Sequence, residues 1–134
     1  MEFRIPGKPQ GKARHRLTRT GHSYTPQKTV DYENLVKECY ELANGEWFAI
    51  EPLQMEITAY YGIPKSTSKK DRERMLSGEL FPTKKPDADN IAKIICDALN
   101  KVAYKDDSQI IKLIVNKKYA DEPKVIVEIE ACYD

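Results

Sequence analysis

The run 91–102 constrains this chain most. Its apolar residues Ile91, Ile94, Ile95, Ala98, Leu99 and Val102 fall at offsets 0, 3, 4, 7, 8 and 11. That spacing draws one face of an amphipathic helix and does not fit a strand. Lys93, Asp97 and Lys101 line the opposite side at four-residue intervals. Pro86 holds Lys85 out of the helical region, so the helix is predicted to begin near Asp87. The start of this helix is crowded with acid: Asp87, Asp89 and Asn90 stand at or just inside it, and Asp106-Asp107 follow its end.

The segments around it alternate between strand and helix patterns. Residues 53–63 set Leu53, Met55, Ile57, Ala59 and Tyr61 against Gln54, Glu56, Thr58 and Tyr60, the period of a half-buried strand. Residues 110–119 and 124–131 are rich in β-branched side chains, with Asp121-Glu122-Pro123 as a turn, and are predicted to pair as a hairpin. A short edge strand at 2–6 is ended by Pro6-Gly7. A core-packing helix is expected over roughly 27–44, with Leu35, Cys39 and Leu42 aligned on one face. Thr25 is the expected cap and Pro26 suits the first turn, with Asn44-Gly45 as the stop. Residues 66–80, polar nearly all round, read as a short basic surface helix. At 134 residues the chain fits one domain without repeats or low-complexity linkers. The expected class is α/β (α+β): a small mixed sheet flanked by two main helices.

Charge is strongly segregated behind a net value of +1. Residues 1–28 carry +6 and residues 63–86 carry +4, which leaves −9 on the remainder. Two basic segments around an acidic one point to a polyanionic partner, set against the plainer reading of a solvated charged surface. Residues 7–26 lack hydrophobic periodicity and form a basic loop or hairpin, an arm carrying Lys8, Lys12, Arg14, Arg16 and Arg19. A loop of that length inside a compact domain is usually functional. His15 and His22 are not at a zinc-ligand spacing. No run approaches 18 apolar residues and no charged-then-apolar leader opens the chain, so membrane and secreted classes are set aside. Three widely spaced cysteines, Cys39, Cys96 and Cys132, read as buried thiols of a cytoplasmic protein.

For an isolated Asp-x-Asp-Asn, helix capping is the leading explanation. The combination shifts the balance. Lys93 lies four residues after Asp89 on the same face. A second acidic pair lies within reach: a helix of about 14 residues is ~21 Å long, and an extended return over 102–107 covers up to ~20 Å. Crowded carboxylates repel unless a cation sits among them, and oxygen-only clusters suit Mg²⁺ or Mn²⁺. The chemistry such a set supports is phosphodiester hydrolysis, with a lysine stabilising the developing charge. There is no Gly-rich phosphate loop, nucleophile elbow or Cys/His pair to support another class, nor any motif for a small-molecule cofactor.

These residues carry a resemblance. The string 85–100 (Lys-Pro-Asp-Ala-Asp-Asn-Ile, Lys93, then Asp97-Ala98-Leu99-Asn100), followed by Asp106-Asp107-Ser108-Gln109, resembles the RusA family of Holliday junction resolvases. The opening Gly7-Lys8-Pro9, Arg14-His15-Arg16 and Gly21-x-x-Tyr24-Thr25-Pro26 is similar to that family's basic N-terminal segment. The resemblance implies a small α/β homodimer that nicks four-way DNA junctions symmetrically with Mg²⁺ or Mn²⁺, often of phage or prophage origin. It implies metal ligation by Asp87, Asp89 and Asp107, and a functional role for Lys93. Whether Asp106 or Asp107 points inward stays open, and Asp97 reads as structural, paired with Lys93 or Lys101. Lys69, Lys70, Lys84 and Lys85 join the arm as expected DNA contacts. Two other readings stand beside this one: a non-catalytic DNA-binding phage protein whose acids cap a helix, and a metal nuclease acting on flaps, RNA or other branched forms.

Overall fold

A computed structural model describes residues 1–133. The chain forms one α+β domain built on a four-stranded mixed sheet in the order β1-β6-β4-β5. Its strands are β1 (Glu2–Pro6), β4 (Leu53–Gly62), β5 (Ile110–Ala120) and β6 (Lys124–Ala131). The basic arm closes into a two-stranded ribbon of β2 (Arg16–Leu17) and β3 (Ser23–Tyr24). The helices are α1 (Gln27–Leu42), α2 (Lys69–Leu76) and α3 (Ala88–Leu99).

The expected hairpin of the last two strands does not form. β5 pairs with β4 in parallel, and β6 pairs with β4 antiparallel on its other side. The cause lies in β4, whose Leu53, Met55, Ile57 and Ala59 are wholly buried and so take the central position. The link 121–123 must therefore cross the end of β4. Two strand spacings are about 9.6 Å, within the reach of a short extended link. Pro123 lies over Gly62 at the crossing, 3.6 Å from where a side chain there would begin. The parallel β4–β5 pair requires a long crossover, and α2 and α3 lie on it.

α1 is buried through Thr29, Tyr32, Val36 and Tyr40. The stripe expected from Leu35, Cys39 and Leu42 is displaced from the true one. Leu35 and Cys39 are partly buried beside it, and Leu42 is 77% exposed. The two tyrosines supply the contact area that the aliphatic spacing missed; Tyr40 meets Phe3 edge-on with ring centroids 5.1 Å apart. The Tyr40 hydroxyl donates to the Glu46 carbonyl. Gly45 makes room for this ring, since a Cβ there would collide with the Tyr40 ring. Thr25 does not cap α1; Pro26 occupies the cap position, without a side-chain bond. α2 is shorter than the basic segment suggested, and Ser68 caps it by accepting from the Asp71 N–H at 3.2 Å. Of the three cysteines Cys96 alone is buried; Cys39 and Cys132 are half-buried, Cys39 at the rim of the core.

α3 follows its predicted face closely: Ile91, Ile94, Ile95, Ala98 and Leu99 are buried. It ends at Leu99, three residues before the apolar pattern does. Asn100 is extended, Lys101 adopts φ +67°, and the Lys101 N–H donates to the Tyr104 carbonyl at 2.7 Å. That reversal turns the chain back along the helix. No helix among the described residues is long and apolar enough to cross a membrane.

The sheet face opposite the buried side chains carries like charges in one row, with Glu2 opposite Glu128 and Glu128 opposite Glu56. Such pairs are unfavourable. A hydrogen bond shared with Glu2, followed by desolvation and the charges of Glu2, Glu56 and Glu130, raises the Glu128 carboxyl above its ordinary 4.5. The folded state then holds that proton more tightly than the unfolded chain, so stability falls as pH rises from the ordinary value through the raised one. Glu128→Gln is therefore expected to raise the thermal midpoint slightly at neutral pH and to leave it unchanged below about pH 4. A gain of equal size at both pH values would remove the charge-repulsion account.

Candidate active site and nucleic-acid interface

The acidic turn is held from beneath by the sheet. Tyr61, at the C-terminal end of β4, donates its hydroxyl to the Pro86 carbonyl at 2.6 Å. Lys117 of β5 donates to the Lys84 carbonyl at 2.7 Å, and its ammonium lies 5.2 Å from the centre of the Tyr61 ring. Burial first, and then the charge of Asp87, pushes the Tyr61 hydroxyl up to about 12, so it remains a donor at neutral pH. The strap 84–86 is thus fixed at two carbonyls, and α3 starts beside the C-terminal end of β4. In open α/β sheets this is the end where ligands bind.

Asp87 occupies the cap position of α3, with φ −72° and ψ 153°, but its side chain makes no capping hydrogen bond. Asp89 lies in the first turn, and both carboxylates are exposed. The capping explanation, strongest for a bare Asp-x-Asp-Asn, is not what the Asp87 side chain does.

The basic arm lies across this first turn. The Lys12 N–H donates to the Asn90 carbonyl at 2.9 Å. A Cβ on Gly11 would fall 3.0 Å from both Pro86 Cβ and Asn90 Cβ, so the arm approaches where the smallest residue stands. Between arm and helix opens a cavity of about 530 Å³, with Ala13, Arg14 and His15 on one wall and Asp89, Asn90, Lys93 and Asp97 on the other. Lys93 reaches Asp97 at 3.2 Å, the pairing expected from their spacing. Lys12 also lines this cavity, but its ammonium is engaged by Glu33 at 2.9 Å and Asp97 at 3.2 Å. Burial would lower its pKa; the two carboxylates outweigh burial and raise it. Lys12 therefore ties arm, α1 and α3 together, a role distinct from the open phosphate contact expected of it.

The second acidic pair divides in two. Asp106 caps the short 3₁₀ turn Asp107–Gln109: it accepts from the Ser108 N–H at 3.2 Å, and Gln109 returns the bond to the Asp106 N–H at 3.1 Å. The Ser108 hydrogen bonds hold the Asp106 carboxyl below its usual range. Asp107 is half-buried and faces α3 electrostatically. Burial first, then the charges of Asp107 and Asp97, pushes the Cys96 thiol up to about 11. Burial, the Cys96 sulfur and the same two aspartates raise the Tyr104 hydroxyl, which donates to the Cys96 carbonyl at 2.7 Å. Tyr104 thereby pins the returning loop to the helix.

An all-oxygen donor set of Asp87, Asp89 and Asp107 suits a hard divalent cation in kind. In this arrangement, however, no group of three His, Cys, Asp or Glu side chains among the described residues is gathered to hold a metal ion. Of the remaining basic residues, Lys8, Lys84 and Lys85 line a separate groove on the other side of the strap. Arg16 and Arg19 are exposed on the ribbon, and Lys69 and Lys70 are exposed on α2. His15 and Asn90 also line the cavity, although neither was among the expected site residues and no periodic pattern marks them.

Comparison with known proteins places this site in context. A family model described as endodeoxyribonuclease RusA matches residues 6–130. The chain is 38% identical to the uncharacterized protein YqaN of Bacillus subtilis (strain 168), over 96% of this chain and 94% of that one. It is 31% identical to the crossover junction endodeoxyribonuclease rusA of Lactococcus phage r1t, over 72% of this chain and 63% of that one.

Proposed function

The chain belongs to the RusA endodeoxyribonuclease family, and from that premise we propose that it is a divalent-metal-dependent, structure-specific DNA endonuclease. Its substrate is the four-way junction, resolved by paired symmetric nicks in recombination and repair in the cytoplasm. The observation that carries this reading is the cavity in which Asp89, Asn90 and Lys93 of α3 face Arg14 and His15 of the arm. Carboxylates and cations converge there on a space open to a phosphodiester.

The residues divide into roles. Asp87, Asp89 and Asp107 are the proposed holders of Mg²⁺ or Mn²⁺, with Asp107 favoured over Asp106 because the latter carboxylate already caps a turn. The chemistry such an ion supplies is polarisation of a phosphoryl oxygen and acidification of a bound water. Lys93 stabilises charge developing on the phosphate oxygens. Arg14 and His15 hold the backbone, and Asp97 keeps Lys93 and Lys12 in place. A homodimer with one site per subunit matches the two opposed strands of a junction.

The test is cleavage of labelled four-way junction, flap and linear duplex, with Mg²⁺ and with EDTA. Paired nicks in the junction that require Mg²⁺ are expected. Unpaired nicks confined to flaps, or no cutting of any substrate, would overturn the resolvase assignment.

A further inference from the structure

The groove on the far side of the strap has a volume of about 580 Å³ and is walled by Pro9, Pro64, Pro86 and Pro123. Four lysines open onto it: Lys8 from the start of the arm, Lys65 just beyond β4, and Lys84 and Lys85 from the strap. Its one carboxylate, Asp121, is paired with Arg72 of α2. None of the four lysines has a carboxylate within salt-bridge distance among the described residues; the ion pairs found involve Lys12, Arg72, Arg74 and Lys93 instead. Four uncompensated ammonium groups around one half-enclosed space repel each other, and an anion relieves that repulsion. The apolar walls add surface suited to sugar or base, which a bare inorganic anion would not use.

The groove and the acidic cavity share a single rigid wall. Lys85 and Pro86 border the groove, while Asp89 and Asn90, three and four residues beyond Pro86, border the cavity. The hydrogen bonds from Tyr61 and Lys117 fix that wall. A strand passing over the acidic turn meets Arg14 and His15 on one side and the lysine groove on the other.

We propose that this groove is a second phosphodiester-binding subsite, which holds nucleic-acid backbone beside the strap, apart from the cavity that Arg14 and His15 line. Its ligand class rests on the nuclease reading; its geometry does not. It also gives a function to Lys65, at the head of the basic segment 65–74.

The experiment measures binding of a four-way junction and of a single-stranded oligonucleotide in EDTA over a range of salt. The proteins are wild type, the pair Lys8→Ala with Lys65→Ala, and a control pair, Lys112→Ala with Lys118→Ala. The control removes equal charge from exposed positions on the opposite face of the sheet. Loss of two phosphate contacts is expected to flatten the slope of log K against log salt by about 1.4 for single strand or about 1.8 for duplex arms. A change on single strand alone assigns the groove to unpaired DNA; a change on the junction alone assigns it to a duplex arm. An unchanged slope on both substrates, or an equal change in the control pair, overturns the proposal. Cleavage by wild type is scored separately with Mg²⁺. A protein that shows the slope change yet cuts nothing loses the nuclease reading and keeps the groove.

Discussion

Asp89→Asn is expected to leave a four-way junction bound and essentially uncut. Asn keeps the size and shape of the side chain and removes its charge. The fold should survive, since an acid in the first turn of a helix contributes only about 0.3–1 kcal/mol, and Asp89 is exposed. Under the proposed function the same charge helps to hold a divalent ion, whose transition-state stabilisation is worth several kcal/mol. At 1.36 kcal/mol per tenfold, the nicking rate should fall by roughly three to four orders of magnitude. Binding in EDTA should hold or tighten, because a negative charge facing the phosphates is gone. Nicking assays on purified protein with Mg²⁺, beside gel-shift titrations in EDTA, separate the two effects. Wild-type cleavage by the variant would remove Asp89 from the metal set.

Tyr104→Ala is expected to carry the largest stability loss tied to the site. Tyr104 is fully buried, and its hydroxyl bonds the Cys96 carbonyl. It joins the loop after α3 to the body of that helix, and Asp107 follows three residues later. Truncating a buried aromatic costs about 3–5 kcal/mol, which in a chain of this size lowers the thermal midpoint by roughly 10 °C or more. Tyr104→Phe keeps the ring and loses one hydrogen bond, about 0.5–1.5 kcal/mol. Urea unfolding of both variants measures the difference. A loss below about 1 kcal/mol for the alanine variant would show that the loop is anchored elsewhere.

The sequence made some of this legible because the determining interactions are local. The buried face of α3 follows from its own spacing, and the alternating face of β4 likewise. The arm was recognisable as irregular and basic, though its small ribbon was not resolved from a loop. The sheet order was not legible, because β4's claim to the central position depends on which strands compete for it. Two β-branched runs joined by three residues look like a hairpin until a more deeply buried strand takes the place between them. The α1 face was misplaced because a spacing drawn through Leu35, Cys39 and Leu42 passes over Tyr32 and Tyr40, which are core. The gathering of Asp87, Asp89 and Lys93 around the start of one helix follows from their spacing. The commitment of Asp106 to a cap, and of Lys12 to Glu33 and Asp97, depends on where distant elements land, which no local pattern records.

The sheet order also sets a schedule for synthesis. β1, made before the other strands of this sheet, finds its partner in β6, made after them. β4 gains its antiparallel neighbour from that same final strand. A nascent chain halted after residue 120 already carries every acidic residue of the turn and loop, together with the whole arm. It still leaves β1 without a partner and one edge of β4 bare. Pairings that join the two ends of a chain close slowly, because the intervening chain must be ordered first. The residues proposed for cleavage are therefore all present before the sheet that aligns them can close, and that sheet closes only once β6 is made.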